Sequence, residues 1–243
     1  MSDQAFYKWK MMSFPSGEMP DFATYYEKLL DLLKSDKPFS LVRICDGEIY
    51  VMAFKKSVNG SISPEHVEHL SNNLQSLVDM TEEGGNLLIG LQENTIWNAK
   101  MHITDYTNYL SGQIKNKIPA SLMSWTTVAR NFQNIVAEIN KSERPLILVG
   151  PAHLKNLKLF KEYEIITVPS VKCWEHEIDI QERLSDSISQ KKNPIVLYSA
   201  SILTKNLILK NYLLFGDDVI QLDLGSNLDP YCGVNSRPWH SYI

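Results

Sequence analysis

Two acids close an apolar, β-branched run in Phe39-Ser-Leu-Val-Arg-Ile-Cys-Asp-Gly-Glu-Ile49, where Asp46 and Glu48 are separated by Gly47. Residues two apart on an extended chain point to the same side. The spacing therefore predicts two carboxylates aimed at one small volume at the carboxyl end of a strand. In open α/β sheets that edge is where ligands bind. Two converging acids repel unless something positive lies between them, and a hard divalent cation with oxygen ligands answers that need. A turn whose acids face solvent accounts for the same residues, since so short a motif also arises by chance.

Other chemistry-bearing residues follow apolar runs in the same way. Pro145–Val149 leads into Gly150-Pro-Ala-His153, where Gly150 would let backbone approach a ligand and His153 would open a helix. Pro194–Tyr198 leads into Ser199-Ala-Ser201, whose hydroxyls can cap a helix or hold a phosphate. Val219–Leu224 leads into Gly225-Ser226-Asn227. The tail Asn235-Ser-Arg-Pro-Trp-His-Ser-Tyr-Ile243 carries Arg237, Trp239 and His240. Arg237 can grip a phosphate with two parallel hydrogen bonds. His240 titrates near neutrality and can meet a departing diphosphate. Arg43, inside the first apolar run, must pair if buried. A regular strand turns it away from Asp46, so a structural ion pair and a substrate contact stand as equal readings. His66, Glu68 and His69 look like a metal pair on a helix but read more simply as a solvated face. Glu175, just past a strand end, is a candidate base or merely part of an acidic first helical turn.

These segments need a scaffold that brings strand ends together. Asp21 predicts the cap of a helix with Tyr25, Leu29, Leu30 and Leu33 on one face. Strands are predicted at Ser40–Cys45, Asn86–Gly90, Pro145–Gly150, Ile165–Val168, Pro194–Tyr198 and Val219–Leu224. Between them lie helical stretches at Pro64–Met80, Thr126–Asn140, His153–Phe160, Trp174–Gln190 and Leu203–Leu214, while 94–118 parses poorly. Continuous apolar strands alternating with helices signal a parallel sheet covered on both faces. The prediction is a single doubly wound, mainly parallel α/β domain of about six strands, Rossmann-like in kind. Residues 1–38 form a lead-in and first helix, and 39–243 the main domain, in one compact unit.

The chain has 243 residues, 44% hydrophobic and 21% charged, with net charge −4. The lack of a basic surplus argues against nucleic acid as partner. Three scattered cysteines, Cys45, Cys173 and Cys232, suggest reduced thiols in the cytoplasm. There is no signal-peptide pattern at the N-terminus and no apolar run of membrane-spanning length. Absence of a P-loop, Gly-x-Gly-x-x-Gly or nucleophile elbow removes support from kinase, dehydrogenase and hydrolase readings.

Taken in order, Val42-Arg-Ile-Cys-Asp-Gly-Glu48, Leu148-Val-Gly-Pro-Ala-His-Leu154, Val168-Pro-Ser-Val-Lys-Cys-Trp174, Asp223-Leu-Gly-Ser-Asn-Leu-Asp229 and Ser236-Arg-Pro-Trp-His240 resemble the segments of GT-D type bacterial glycosyltransferases. The likeness runs from about Phe39 to His240, with Cys45 where the family pattern has glycine. It implies transfer of a sugar from a nucleotide-diphosphate donor to a glycan or glycoprotein acceptor. It also implies that Asp46 and Glu48 hold manganese or magnesium against the diphosphate. The candidate donor-binding residues are Arg43, Gly47, Gly150, His153, Ser199, Ser201, Gly225, Ser226 and Arg237. Glu175 and Asp223 are the candidate bases for the acceptor hydroxyl, and His240 assists the leaving group. Trp125 either stacks on an acceptor sugar or packs in the core. A metal-dependent phosphoesterase or nucleotidyl-transfer enzyme, and a non-catalytic nucleotide-sugar binding module, are the competing readings. Assembly into a homo-oligomer stays open.

Overall fold

The computed structural model describes residues 10, 20–35, 37–57, 62–93, 96–216, 218–237 and 240; the lead-in at 11–19, Asn94 and Trp239 lie outside them. Seven strands form one sheet: β1 (Ser40–Ile44), β2 (Leu87–Leu91), β3 (Lys117–Pro119), β4 (Leu146–Gly150), β5 (Glu164–Thr167), β6 (Ile195–Tyr198) and β7 (Ile220–Asp223). Their order is β3-β2-β1-β7-β6-β4-β5, and every pairing is parallel. The chain moves outward from β1 to β3, crosses to the other half, and returns through β6 to β7, which lies beside β1. The sheet centre is thus where strand order reverses, and a crevice opens there at the carboxyl ends.

Alternation along each strand divides the core in two. Val42, Ile44, Ile89, Val149 and Val196 point to one face, with α2 (Asp46–Phe54), α3 (Pro64–Asp79), α5 (Thr104–Gln113), α8 (Glu177–Ser189) and α9 (Leu203–Phe215). Leu41, Leu88, Leu148, Leu197 and Leu222 point to the other, with α1 (Phe22–Lys34), α6 (Leu122–Val128) and α7 (Phe132–Lys141). A short α4 (Ile96–Lys100) precedes α5. No helix among the described residues is long and apolar enough to cross a membrane.

Asp21 caps α1 as its sequence suggests, its carboxylate accepting from the Thr24 N–H at 3.3 Å. Phe22, Tyr26, Leu29 and Leu30 bury α1 in the second core layer, so it packs as part of the same body. Trp125 belongs to that packing: its ring stacks on Phe22 at 5.6 Å and meets Tyr26 edge-on at 5.8 Å. Other elements depart from expectation for local reasons. The stretch predicted as one helix over 126–140 is two, separated by Arg130 at φ 62°, a left-handed residue that a continuous helix cannot contain. After β4, only Ala152–Asn156 coils, as a 3-10 turn, where a helix to Phe160 was expected. The stretch expected as helix from Trp174 starts as a 3-10 turn, Cys173–His176, before α8. The unparsed stretch supplies α4, α5 and the edge strand β3.

One face of the sheet hides polar groups that apolar strand patterns do not reveal. The Tyr198 hydroxyl donates to Gln221 Oε1 at 2.7 Å and accepts from Asn211 Nδ2 at 3.2 Å. Gln221 Nε2 reaches Ser40 Oγ at 3.0 Å, and Gln181 Nε2 reaches Asn211 Oδ1 at 2.8 Å. The chain ties β1, β7, β6, α9 and α8 together through buried side chains. Tyr198→Phe would leave a buried acceptor and donor without this partner. We expect a loss of about 1–3 kcal/mol, read as a lower urea midpoint at unchanged slope.

Candidate functional site

The ends of β1, β4, β6 and β7 converge on a cavity of about 960 Å³, within the range of small-molecule sites. Arg43, Asp46, Gly47, Glu48, His153, Ser199, Ser201, Asp223, Gly225, Ser226 and Arg237 all line it. Gly150 does not line it, but packs against Leu154 and Ser199: a Cβ there would come within 2.6 Å of Leu154 Cδ1 and force that side chain to shift. Besides Gly150, two expected members do not line the cavity. Glu175 is half-exposed and pairs with Lys172 at 3.0 Å. His240 is buried to one side, its Nδ1 accepting from the Ser236 N–H at 3.2 Å. Burial holds its imidazole below the usual histidine value, so it is neutral at neutral pH.

Asp46 and Glu48 do not sit on extended chain. Cys45 is the extended N-cap of α2, and both acids lie in its first turn, where the helix dipole favours negative charge. Glu48 Oε2 reaches back to accept from the Cys45 N–H at 3.1 Å, the reciprocal half of a capping box. On a helix, residues two apart do not face each other. The two carboxylates therefore take different roles. Asp46 Oδ1 accepts from the Gly47 N–H at 2.9 Å, and the residue borders the cavity. Burial, and then the neighbouring Glu48 charge, raise the Asp46 carboxyl above its ordinary range.

Glu48 turns inward to Lys205, a residue the sequence reading passed over. Lys205 stands in the first turns of α9, with its side chain only 6% exposed. Its Nζ lies 3.1 Å from Glu48 Oε1 and 3.0 Å from Asp223 Oδ2. Burial opposes the ammonium charge, but Asp223 and Glu48 more than reverse this and push its pKa up. A lysine within the apolar run Leu203-Thr-Lys-Asn-Leu-Ile-Leu209 was the available signal, because a charge on a buried helix must find a partner. Asp223 is spoken for as well: Oδ1 accepts from the Gly225 N–H at 3.1 Å and Oδ2 from the Arg43 N–H at 3.2 Å.

Arg43 lines the same cavity as Asp46, not a separate face. Its Nε donates to the Ala120 carbonyl at 3.0 Å. Gly225, at φ 56°, passes so close that a Cβ would lie 2.4 Å from Arg43 Nη1. Burial works against the guanidinium charge, and the acidic groups around it, Cys45, Asp223, Glu48 and Glu93, outweigh that and keep it protonated. Burial likewise pushes the Cys45 thiol up to about 12, which leaves no thiolate for nucleophilic chemistry. Elsewhere in the lining, His153 Nε2 lies 2.9 Å from Asp229 Oδ1, and the Ser236 hydroxyl donates to Asp229 Oδ2. His66 binds the Ser63 cap of α3 at 2.6 Å and His69 meets Glu177 at 3.3 Å, away from the cavity.

The residues present do not fit a divalent cation held jointly by Asp46 and Glu48. Such an ion needs oxygens converging at roughly 2.0–2.6 Å. Each oxygen of Glu48 and of Asp223 already has a donor, and an ammonium lies between them. Among the described residues, no group of three or more His, Cys, Asp and Glu side chains is arranged to hold a metal.

The fold has known counterparts. The chain is similar to the structure of a domain of unknown function 1792 (TM-score 0.59, 17% identity), covering 83% of this chain and 77% of that one. A second structure of that domain, described as having a distinct glycosyltransferase fold, matches with TM-score 0.58, 17% identity and the same coverage. At that identity the likeness establishes the architecture. No protein-family model and no curated protein matches the chain.

Proposed function

We propose that this protein transfers a sugar from a nucleotide-diphosphate donor, bound in the cavity at the sheet switch point, to a hydroxyl of a glycan or glycoconjugate. The observation that carries this reading is the cavity's composition: two cations, the half-buried Arg43 and the buried Lys205, whose acidic neighbours favour their charged forms, beside Asp46, a carboxylate that borders open space. The description of one similar structure as having a distinct glycosyltransferase fold supports it by analogy.

The roles follow from the positions. A departing diphosphate gathers negative charge, and fixed cations that need not reorganise stabilise it most. Arg43 and Lys205 supply that charge from the floor, and Arg237 supplies it from the exposed rim. Gly225 and Gly47 let backbone approach the donor, and Ser201, Ser226 and His153 present polar groups along its path. Asp46 takes the proton of the attacking acceptor hydroxyl. Its raised pKa makes it a better base than an ordinary aspartate. Asp223, expected for that task, has both oxygens occupied within the floor.

The test is a thermal-shift screen of UDP, GDP and ADP and their sugar esters. A ligand at a hundred times its Kd stabilises the fold by about 2.7 kcal/mol, so at least one donor should raise the melting temperature by several degrees. Products then separate the chemistries: nucleoside diphosphate plus free sugar supports transfer, whereas cleavage within the phosphates indicates a phosphoesterase or nucleotidyl-transfer enzyme. If no nucleotide shifts the melt, the donor reading is wrong.

A further inference from the structure

We propose that Lys205 is a built-in counter-cation, standing where a divalent ion would otherwise join Glu48 to a donor's phosphates, so that this site binds a phosphate-bearing ligand without metal. The inference deepens the donor reading above and rests on it for the identity of the ligand.

Three observations carry it. First, the ammonium bridges the two carboxylates that emerge at the start of α2 and the end of β7, 3.1 Å and 3.0 Å away. That is the carboxyl edge where a donor's phosphates would lie. Second, Lys205 cannot swing clear cheaply. Its side chain is 6% exposed on α9, a helix whose Leu203, Leu207 and Ile208 are buried in the core. Leaving the ammonium buried without its acids would be very costly. A metal ion added to Glu48 would therefore sit beside a fixed positive charge, and the like charges would oppose its binding. Third, an ammonium has three N–H groups. Two are directed to Glu48 and Asp223, and Lys205 borders the cavity, so the third can meet a phosphate oxygen.

The decisive experiment uses the metal alone. Mn2+ is titrated into the full-length protein and free Mn2+ is read by electron paramagnetic resonance. The parent protein should leave Mn2+ free up to millimolar concentration. Lys205→Met, which keeps the length of the side chain but not its charge, should gain a Mn2+ site at least tenfold tighter, and Glu48→Gln added to it should remove that site. Stoichiometric Mn2+ binding by the parent protein, lost in Glu48→Gln, overturns the proposal. So does a folded Lys205→Met that remains blind to Mn2+. If Lys205→Met fails to fold, the parent protein decides: binding of UDP, GDP or ADP should change less than twofold between EDTA and Mn2+, and a tightening above tenfold with Mn2+ overturns the idea. Failure of every nucleotide to bind under both conditions sinks the donor reading, and the Mn2+ titration of the parent protein still judges Lys205.

Discussion

If the protein carries out the proposed glycosyl transfer, an Asp46→Asn variant is expected to lose at least about a hundredfold of that rate, the lower range for removal of a positioned base, while melting no lower than its parent. The two effects have one cause. Burial and Glu48 hold the folded-state pKa of Asp46 above its unfolded value. The folded chain then binds the proton more tightly than the unfolded chain, so the charge of Asp46 costs stability as pH rises from the ordinary aspartate pKa through the raised one. Above that window the cost is complete, and the neutral asparagine relieves it. The parent and variant should therefore melt alike in acid, with the variant equal or higher at neutral pH. Rates with saturating donor and melts at pH 4 and pH 7 provide the check. Unchanged turnover would remove Asp46 from the reaction, and a lower melt at neutral pH would make it a structural carboxylate.

Lys205→Met is expected to lower folding stability by about 3–5 kcal/mol, the usual result of stripping one partner from a buried ion pair. Methionine is close to lysine in length, so the loss comes from Glu48 and Asp223 left facing each other without the bridging ammonium. The sign with pH is fixed by the raised pKa of Lys205. Its stabilisation is complete below the pKa of an unfolded lysine and is lost only as pH climbs from there through the higher folded value. The gap between parent and variant should thus be full at neutral pH and narrow only in strong alkali. Urea titrations at pH 7 and at alkaline pH measure it; a gap under about 1 kcal/mol, the worth of an exposed pair, would show that the ammonium does not hold these elements together.

Much of the molecule was legible along the chain because the signals concerned are local. Apolar runs of four to six residues, broken by glycine, proline or serine and alternating with helical periodicity, lead to a parallel sheet with helices on both faces, because strands buried on both sides need the intervening helices to cover them. The same runs mark their own carboxyl ends, and that is why Arg43, Asp46, His153, Ser199 and Gly225 could be named before their meeting at one cavity was seen, while Arg237 stood out in the basic, aromatic tail. What the linear chain leaves open is everything settled by encounter between distant segments. The strand order placed β7 beside β1, and with it Asp223 beneath Arg43. The capping of α2 by Glu48 turned an apparent pair of matching acids into two groups with separate fates. Lys205, more than 150 residues from Glu48, became the partner of that acid. Periodicity and turn chemistry act over a few residues, whereas the pairing of buried charges depends on which surfaces the packed core brings together, and for that reason the identity of the cation at the centre of this site could be read only from the folded chain.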